Sequence, residues 1–214
     1  MTVHRRAIIA TGIGGAGLLG ASLSSPPGSR RFYLLTAALA GTWTAGAVGS
    51  GALPFGRPEG QRQERCHGLA VSVLTGGGAF GLCYGAARIA RHVPALDRAI
   101  RGALRYEHHG STPLVALIAS ANAVAEELFF RGALWGLVAD SHPLVTTTLA
   151  YAAATATTGN PALMLAGTVI SVLFGLQRRT SGSALAPALS HLTWSLLMLR
   201  YLPPVFRAPG EPGS

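Results

Sequence analysis

The chain has 214 residues, of which 49% are hydrophobic and only 12% are charged, whereas soluble domains carry about 25% charged residues. The net charge is +9, and all 17 basic residues are arginines. Most of them stand in clusters near the ends of apolar stretches, which is typical of residues that face anionic lipid at the ends of membrane spans. These features exclude a soluble globular domain and a nucleic-acid-binding protein, and they indicate an integral membrane protein in a lipid bilayer.

Seven apolar segments are predicted as membrane helices, because a span needs roughly 20 predominantly apolar residues. The first imitates a signal peptide, with HRR before an apolar run, and is expected to be retained as a span. The fifth and sixth are short and could be tilted or partly re-entrant. The predicted spans are 7–23, 32–54, 67–90, 113–137, 143–158, 161–177 and 182–201. The predicted fold class is all-α: a polytopic membrane helix bundle of about seven transmembrane helices.

Two glycine-rich stretches, GIGGAG at Gly12–Gly17 and GGGAFG at Gly76–Gly81, match the dinucleotide-binding pattern G-x-G-x-x-G. That pattern also requires a preceding strand and an acidic residue about 20 positions later. The first acidic residue after Gly17 is Glu59, and the first after Gly81 is Asp97, which does not follow a strand. We therefore interpret both stretches as sites of close helix packing in lipid.

The linker between the third and fourth spans is predicted to form an amphipathic helix on the membrane surface. Its apolar and basic residues separate onto different faces: Val93, Leu96, Ile100 and Leu104 against Arg98, Arg101 and Arg105. We assign residues 1–111 to N-terminal spans and this linker, 112–202 to a membrane core, and 203–214, which are rich in Pro and Gly, to a disordered tail.

The fourth span contains the stretch AVAEELFFRGALWG, with two adjacent carboxylates and an arginine. Ionisable groups inside a membrane indicate a functional site. Glu127 and Arg131 are four residues apart, so they share a helical face and are predicted to pair. Glu126 is rotated by about 100° from Glu127 and has no partner in its own helix. A carboxylate that is not paired within its own helix suits proton transfer. His191, the histidine well inside the last span, is expected to approach Glu126 from another helix.

The motif E-E-L-F-F-R, from Glu126 to Arg131, resembles the first signature of the CAAX-protease and bacteriocin-processing (CPBP, or Abi) family of intramembrane proteases. The stretch RRTSGSALAPALSHLTWS resembles the approach to that family's third signature, H-x-x-x-N, with Ser195 at the position of the asparagine. The likeness covers about residues 112–200. It implies a glutamate-dependent endopeptidase of the bacterial plasma membrane that hydrolyses a peptide bond of a membrane-associated or lipidated peptide or protein.

The second signature of the family, F-x-x-x-H, lacks its histidine here. Aligning on Gly159–Pro161 puts Thr157 at that position, and aligning on Tyr151 as the aromatic puts Thr155 there. The resemblance implies that Glu126 is the general base, with a threonine in place of its histidine partner. It also implies that His191 and Ser195 are oxyanion donors, and that Glu127 and Arg131 form the scaffold.

Three other possibilities depend on the same residues. A divalent metal such as zinc would have Glu126 and His191 as its candidate ligands, but catalytic zinc usually has three protein ligands. The missing histidine permits a pseudoprotease that binds or scaffolds membrane peptides without cleaving them. A small transporter would use Glu126 and His191 as a proton relay, although transporters often show an internal repeat, and none is visible in this sequence.

Overall fold

The computed structural model describes residues 3–51, 62–108 and 112–206. Within these ranges the chain is helical and contains no β-strand. The predicted all-α fold class is therefore confirmed. The part of the second predicted span beyond residue 51 lies outside the described residues.

The helices follow the predicted order along the chain. Five helical stretches are long and apolar enough to cross a membrane: Val3–Leu23, Arg30–Gly49, Gly68–Ala90, Thr112–Leu137 and Pro161–Ser181. The fifth and seventh predicted spans are also helical, but they have only 14 and 17 residues. The full set of elements is α1 Val3–Leu23, α2 Arg30–Gly49, α3 Arg62–Ala90, α4 Pro94–His108, α5 Thr112–Glu127, a π-helical segment Leu128–Leu134, α6 Trp135–Leu137, α7 Pro143–Ala156, α8 Pro161–Ser181, α9 Leu185–Tyr201 and a 3₁₀ turn Pro203–Phe206.

Close approach of the helices depends on the two glycine-rich stretches. A Cβ atom on Gly15 of α1 would lie 2.4 Å from the Trp43 ring of α2, and one on Gly76 of α3 would lie 2.4 Å from the Ser190 carbonyl oxygen of α9. Neither distance is compatible with a side chain. The interpretation of these stretches as helix-packing sites is confirmed.

The amphipathic helix of the linker is present as α4. Its residues Ile100 and Leu104 are buried against Leu202 and Phe206, whereas Arg98 is exposed. Its location at the membrane surface stays a prediction. The prediction of a disordered tail from residue 203 is wrong for Pro203–Phe206, because the ring of Phe206 is buried in this cluster and fixes that turn.

The remaining helices form the core around the fourth long span. α5 packs against α2 and α9, α7 packs against α1 and α8, and the π-helical segment contacts α2. The largest cluster of buried apolar side chains includes Trp43, Phe129, Phe130 and Tyr151. This packing brings the end of α5 against α7, α8 and α9, which carry the other candidate site residues.

Candidate active site

The motif of the fourth span lies where its helix changes geometry. Glu126 and Glu127 end α5, and Arg131 lies in the π-helical segment Leu128–Leu134. Short π-helical segments are rare and often occur at functional sites. Arg178 of α8 donates a hydrogen bond from Nε to the Arg131 carbonyl oxygen at 2.7 Å, which ties this segment to α8.

Glu127 and Arg131 form the predicted ion pair, and both residues are 0% exposed. Nη1 of Arg131 donates to Oε1 of Glu127 at 3.2 Å. Nε of Arg131 lies 3.2 Å from Oε2 in an ionic contact that is not aligned as a hydrogen bond. Nη2 donates to the hydroxyl and the carbonyl oxygen of Ser171 on α8, at 2.8 and 3.0 Å. The guanidinium is thus held by two helices.

His191 of α9 contacts Glu127 rather than Glu126, which corrects the expected pairing. Its Nδ1 lies 2.9 Å from Oε1 of Glu127. The ring is only 4% exposed and lies between the rings of Phe174 and Trp194, at centroid distances of 5.4 and 5.6 Å. Glu127 was expected to pair with Arg131 alone. A carboxylate has about four lone-pair sites, so Glu127 can accept hydrogen bonds from both Arg131 and His191.

Glu126 has a different partner, Tyr151 of α7. The Tyr151 hydroxyl donates to Oε2 of Glu126 at 2.5 Å. Glu126 is partly exposed, whereas Tyr151 is buried. Glu126 also lies within electrostatic range of His191. The two glutamates and the histidine therefore do gather in one region, but through two separate contacts.

Sequence reasoning used Tyr151 only as a possible anchor of the second signature and did not predict it as a site residue. Its ring packs edge-on against Phe130 at a centroid distance of 5.0 Å, and the Arg131 guanidinium lies 5.2 Å from its centroid. The available signal was its hydroxyl, because the family's second signature has phenylalanine at this position when the alignment is anchored on Tyr151. A tyrosine there brings a polar group into an apolar site, where it requires a partner.

The two threonine candidates occupy different environments. Thr157 is exposed at the C-terminus of α7, where its hydroxyl donates to the Ala16 carbonyl oxygen of α1 at 2.8 Å. Thr155 is buried one turn after Tyr151 and donates to the Tyr151 carbonyl oxygen at 3.1 Å. Thr157 therefore contacts α1 rather than the carboxylates, which argues against its predicted place in the site. Thr155 lies on the helical face that carries Tyr151.

Ser195 is buried one turn after His191 on α9. Residues four apart share a helical face, so the predicted pairing of the third-signature positions on one side of α9 is compatible with the structure. The roles of both residues stay predictions.

The donor set does not fit a zinc ion. Among the residues that the structure describes, no group of three His, Cys, Asp or Glu side chains is placed to hold a metal. The two candidate ligands, Glu126 and His191, make hydrogen bonds to Tyr151 and Glu127 respectively. Catalytic zinc usually has three protein ligands, so no step of the chemistry below passes through a metal.

One known protein family matches this region of the chain. Residues 108–197 match the family model described as type II CAAX prenyl endopeptidase Rce1-like. No curated protein and no solved structure matches the chain. The matched segment includes the π-helical segment and all of the residues that form the two carboxylate contacts, and it confirms the resemblance found in the sequence.

Proposed function

Residues 108–197 match the Rce1-like family model of type II CAAX prenyl endopeptidases, and we propose that the chain is an active intramembrane endopeptidase with Glu126 as its general base. The observation that supports this most strongly is the contrast between the two glutamates. Glu127 is fully buried between Arg131 and His191, whereas Glu126 is partly exposed and has no cationic hydrogen-bond partner among the described residues.

The reaction begins with a water molecule bound by the Glu126 carboxylate. The water oxygen attacks the scissile carbonyl carbon, and its proton passes to Glu126. The tetrahedral intermediate then collapses, the carbon–nitrogen bond breaks, and Glu126 returns the proton to the leaving amine. A positioned carboxylate acting in this way contributes about 10²–10⁴-fold to the rate.

The oxyanion of the intermediate is assigned to His191 and Ser195. The Nε2 atom of His191 is assigned as the donor to the oxyanion, and its Nδ1 atom lies 2.9 Å from Oε1 of Glu127. Glu127 orients the His191 ring through this contact, and Arg131 holds Glu127 in place. Glu127 and Arg131 therefore act on the reaction by fixing one ring of α9 against α5.

The substrate class is proposed to be a membrane peptide with an attached hydrocarbon chain. A groove of about 550 Å³ runs between α3, α4, α8 and α9 and is lined almost entirely by apolar side chains, including Ile89, Ile100, Ala166 and Met198. Trp194 also lines it, and the ring of Trp194 contacts the His191 ring. An apolar groove of this size, whose lining residue Trp194 contacts His191, suits a hydrocarbon chain near the scissile bond.

Filling this groove is expected to affect lipidated substrates selectively. Ala166→Phe places a ring in the groove and should raise KM at least about tenfold for a prenylated peptide, because several buried methylene contacts at about 0.8 kcal/mol each are lost. KM for the same peptide without its prenyl group should stay within about twofold. Ala45→Phe, at an exposed position of α2, serves as control. Equal KM changes for both peptides would contradict the assignment of the groove.

A pseudoprotease is the second candidate function. The hydrogen bonding of Thr155, which stands at the histidine position when the signature is anchored on Tyr151, favours it. Its hydroxyl donates within its own helix, to the carbonyl oxygens of Tyr151 and Ala152 at 3.1 and 3.0 Å, and a threonine cannot accept a proton near neutral pH as imidazole does.

Purified protein in detergent, incubated with a panel of membrane peptides, decides between the two functions. Cleavage by the wild type and by Asp140→Ala, which changes an exposed acidic residue, is expected, together with loss of cleavage in Glu126→Ala. Binding without cleavage by all three proteins would favour the pseudoprotease.

A further inference from the structure

The Tyr151 hydroxyl donates a hydrogen bond to Glu126, and the phenylalanine of the family's second signature has no hydroxyl to do so. We propose that Tyr151 is a positioning residue for the general base: its hydroxyl fixes one oxygen of the Glu126 carboxylate and so aims the other oxygen at the attacking water. This proposal rests on the proposed peptidase function and assigns to Tyr151 a part of the role left vacant by the missing histidine.

The hydrogen bond between Tyr151 and Glu126 is short, which supports a positioning role. The hydroxyl lies 2.5 Å from Oε2, which is the short distance typical of an O–H donor on a charged carboxylate. Among the described residues, Tyr151 is the hydrogen-bond partner of this carboxylate and no other is found. Oε1 is thus left to bind water on the partly exposed side of Glu126.

The ring of Tyr151 is held in place by two neighbouring side chains. Phe130 packs edge-on against its ring, and Arg131 covers the ring from 5.2 Å. A cation over an aromatic face and an edge-to-face ring pair each favour one ring orientation. A tyrosine has few rotatable bonds, so a clamped ring holds its hydroxyl in one place. A flexible glutamate side chain that meets this hydroxyl loses much of its own freedom, which favours a reactive geometry.

The Tyr151 hydroxyl acts in this proposal as a hydrogen-bond donor and not as an acid. Tyr151 donates its proton to the hydrogen bond and keeps it throughout the reaction, while Glu126 alone exchanges a proton with water and the leaving amine. Phenylalanine at this position, as in the family's second signature, has no such donor. With the signature anchored on Tyr151, a tyrosine stands at the aromatic position and Thr155 stands four residues later, where the signature has histidine. The loss of one group is thus accompanied by the gain of the other on the same face of α7.

Tyr151→Phe tests the proposal because it removes one oxygen and retains the ring. The kcat for a cleaved membrane peptide should fall about 10–100-fold, the loss expected for a hydrogen bond to a charged group, while KM stays within about twofold. Tyr106→Phe is the matched control. It removes another buried tyrosine hydroxyl, one that donates to the Ser25 carbonyl oxygen at 3.0 Å away from the site, and it should leave kcat unchanged.

Rescue separates positioning from a merely structural effect. Adding Thr155→His to Tyr151→Phe rebuilds the family's F-x-x-x-H signature and should raise kcat at least about tenfold above that of Tyr151→Phe alone. A kcat for Tyr151→Phe within twofold of the wild type, or a fall matched by Tyr106→Phe, would overturn the role of Tyr151 and leave the peptidase function standing. Absence of cleavage by both the wild type and the double variant would overturn the peptidase function and this role together.

Discussion

Glu126→Gln is expected to lower kcat for a cleaved membrane peptide by about 10²–10⁴-fold, the range of general acid–base catalysis. Glutamine has the same shape, and its amide oxygen still accepts the hydrogen bond from Tyr151, so the site keeps its geometry. It cannot take a proton from water, so the attacking water is no longer activated. Rates measured at saturating substrate, with KM determined in parallel, isolate this step.

The control for Glu126→Gln is Asp140→Asn. Asp140 is an exposed carboxylate in the turn that precedes α7, and its replacement removes the same charge without touching the site. It should retain wild-type kcat. A Glu126→Gln protein with more than about one tenth of the wild-type kcat would contradict the assignment of Glu126 as general base.

Glu127→Gln is expected to reduce the free energy of unfolding by about 3–5 kcal/mol. The Arg131 guanidinium is 0% exposed, so removal of its counter-charge leaves a buried, uncompensated cation, and that is the usual cost of breaking such a pair. Activity should fall as well, because His191 loses its carboxylate partner. The measurement is reversible unfolding in mixed micelles, followed by circular dichroism.

The chain offers a matched control for the Glu127–Arg131 pair. Asp97 and Arg101 on α4 are also four residues apart, with Nε and Oδ2 at 2.9 Å, but their side chains are 23% and 48% exposed. Exposed pairs of this kind contribute about 0.3–0.5 kcal/mol. Asp97→Asn should therefore change stability by less than 1 kcal/mol. If both variants lost the same small amount, the buried pair would not be the structural element that holds α5 to α8 and α9.

Local spacing was sufficient to predict some of the site. Positions four apart meet on a helix, so the pairing of Glu127 with Arg131 followed from the sequence. Long apolar stretches predicted the spans and the all-α fold, because a bilayer permits few alternatives to a helix. These features depend on one helix at a time, and the structure contains them at the expected residues.

Contacts between helices were not predictable in the same way. Which glutamate meets His191 depends on the rotation of α5 relative to α9, and no spacing within either helix specifies that rotation. The π-helical segment, whose backbone hydrogen bonds join residues five apart, begins directly after Glu127. Nothing in the spacing of the sequence indicated it. The contact of Tyr151 with Glu126 likewise requires the packing of α7 beside the end of α5.

Thr157 and Thr155 come from two different anchors of the second signature. Anchoring on Gly159–Pro161 favoured Thr157, but those residues form the turn between α7 and α8. At the end of α7 a side chain faces the neighbouring helix α1, as the hydrogen bond of Thr157 to Ala16 shows. Anchoring on the aromatic gives Thr155, which shares a helical face with Tyr151. Which threonine belongs to the site stays a prediction.

Glu126 is proposed above all to activate the water that hydrolyses a peptide bond within this helix bundle. Its most direct test is cleavage of a membrane peptide by the purified protein in water enriched in ¹⁸O, with mass spectrometry of the products. The wild type should yield a product whose new carboxyl terminus carries one ¹⁸O atom, and Glu126→Gln should yield at least about a hundredfold less of it in the same time. Equal labelling by the two proteins, or no labelled product from the wild type with any peptide of the panel, would contradict the claim.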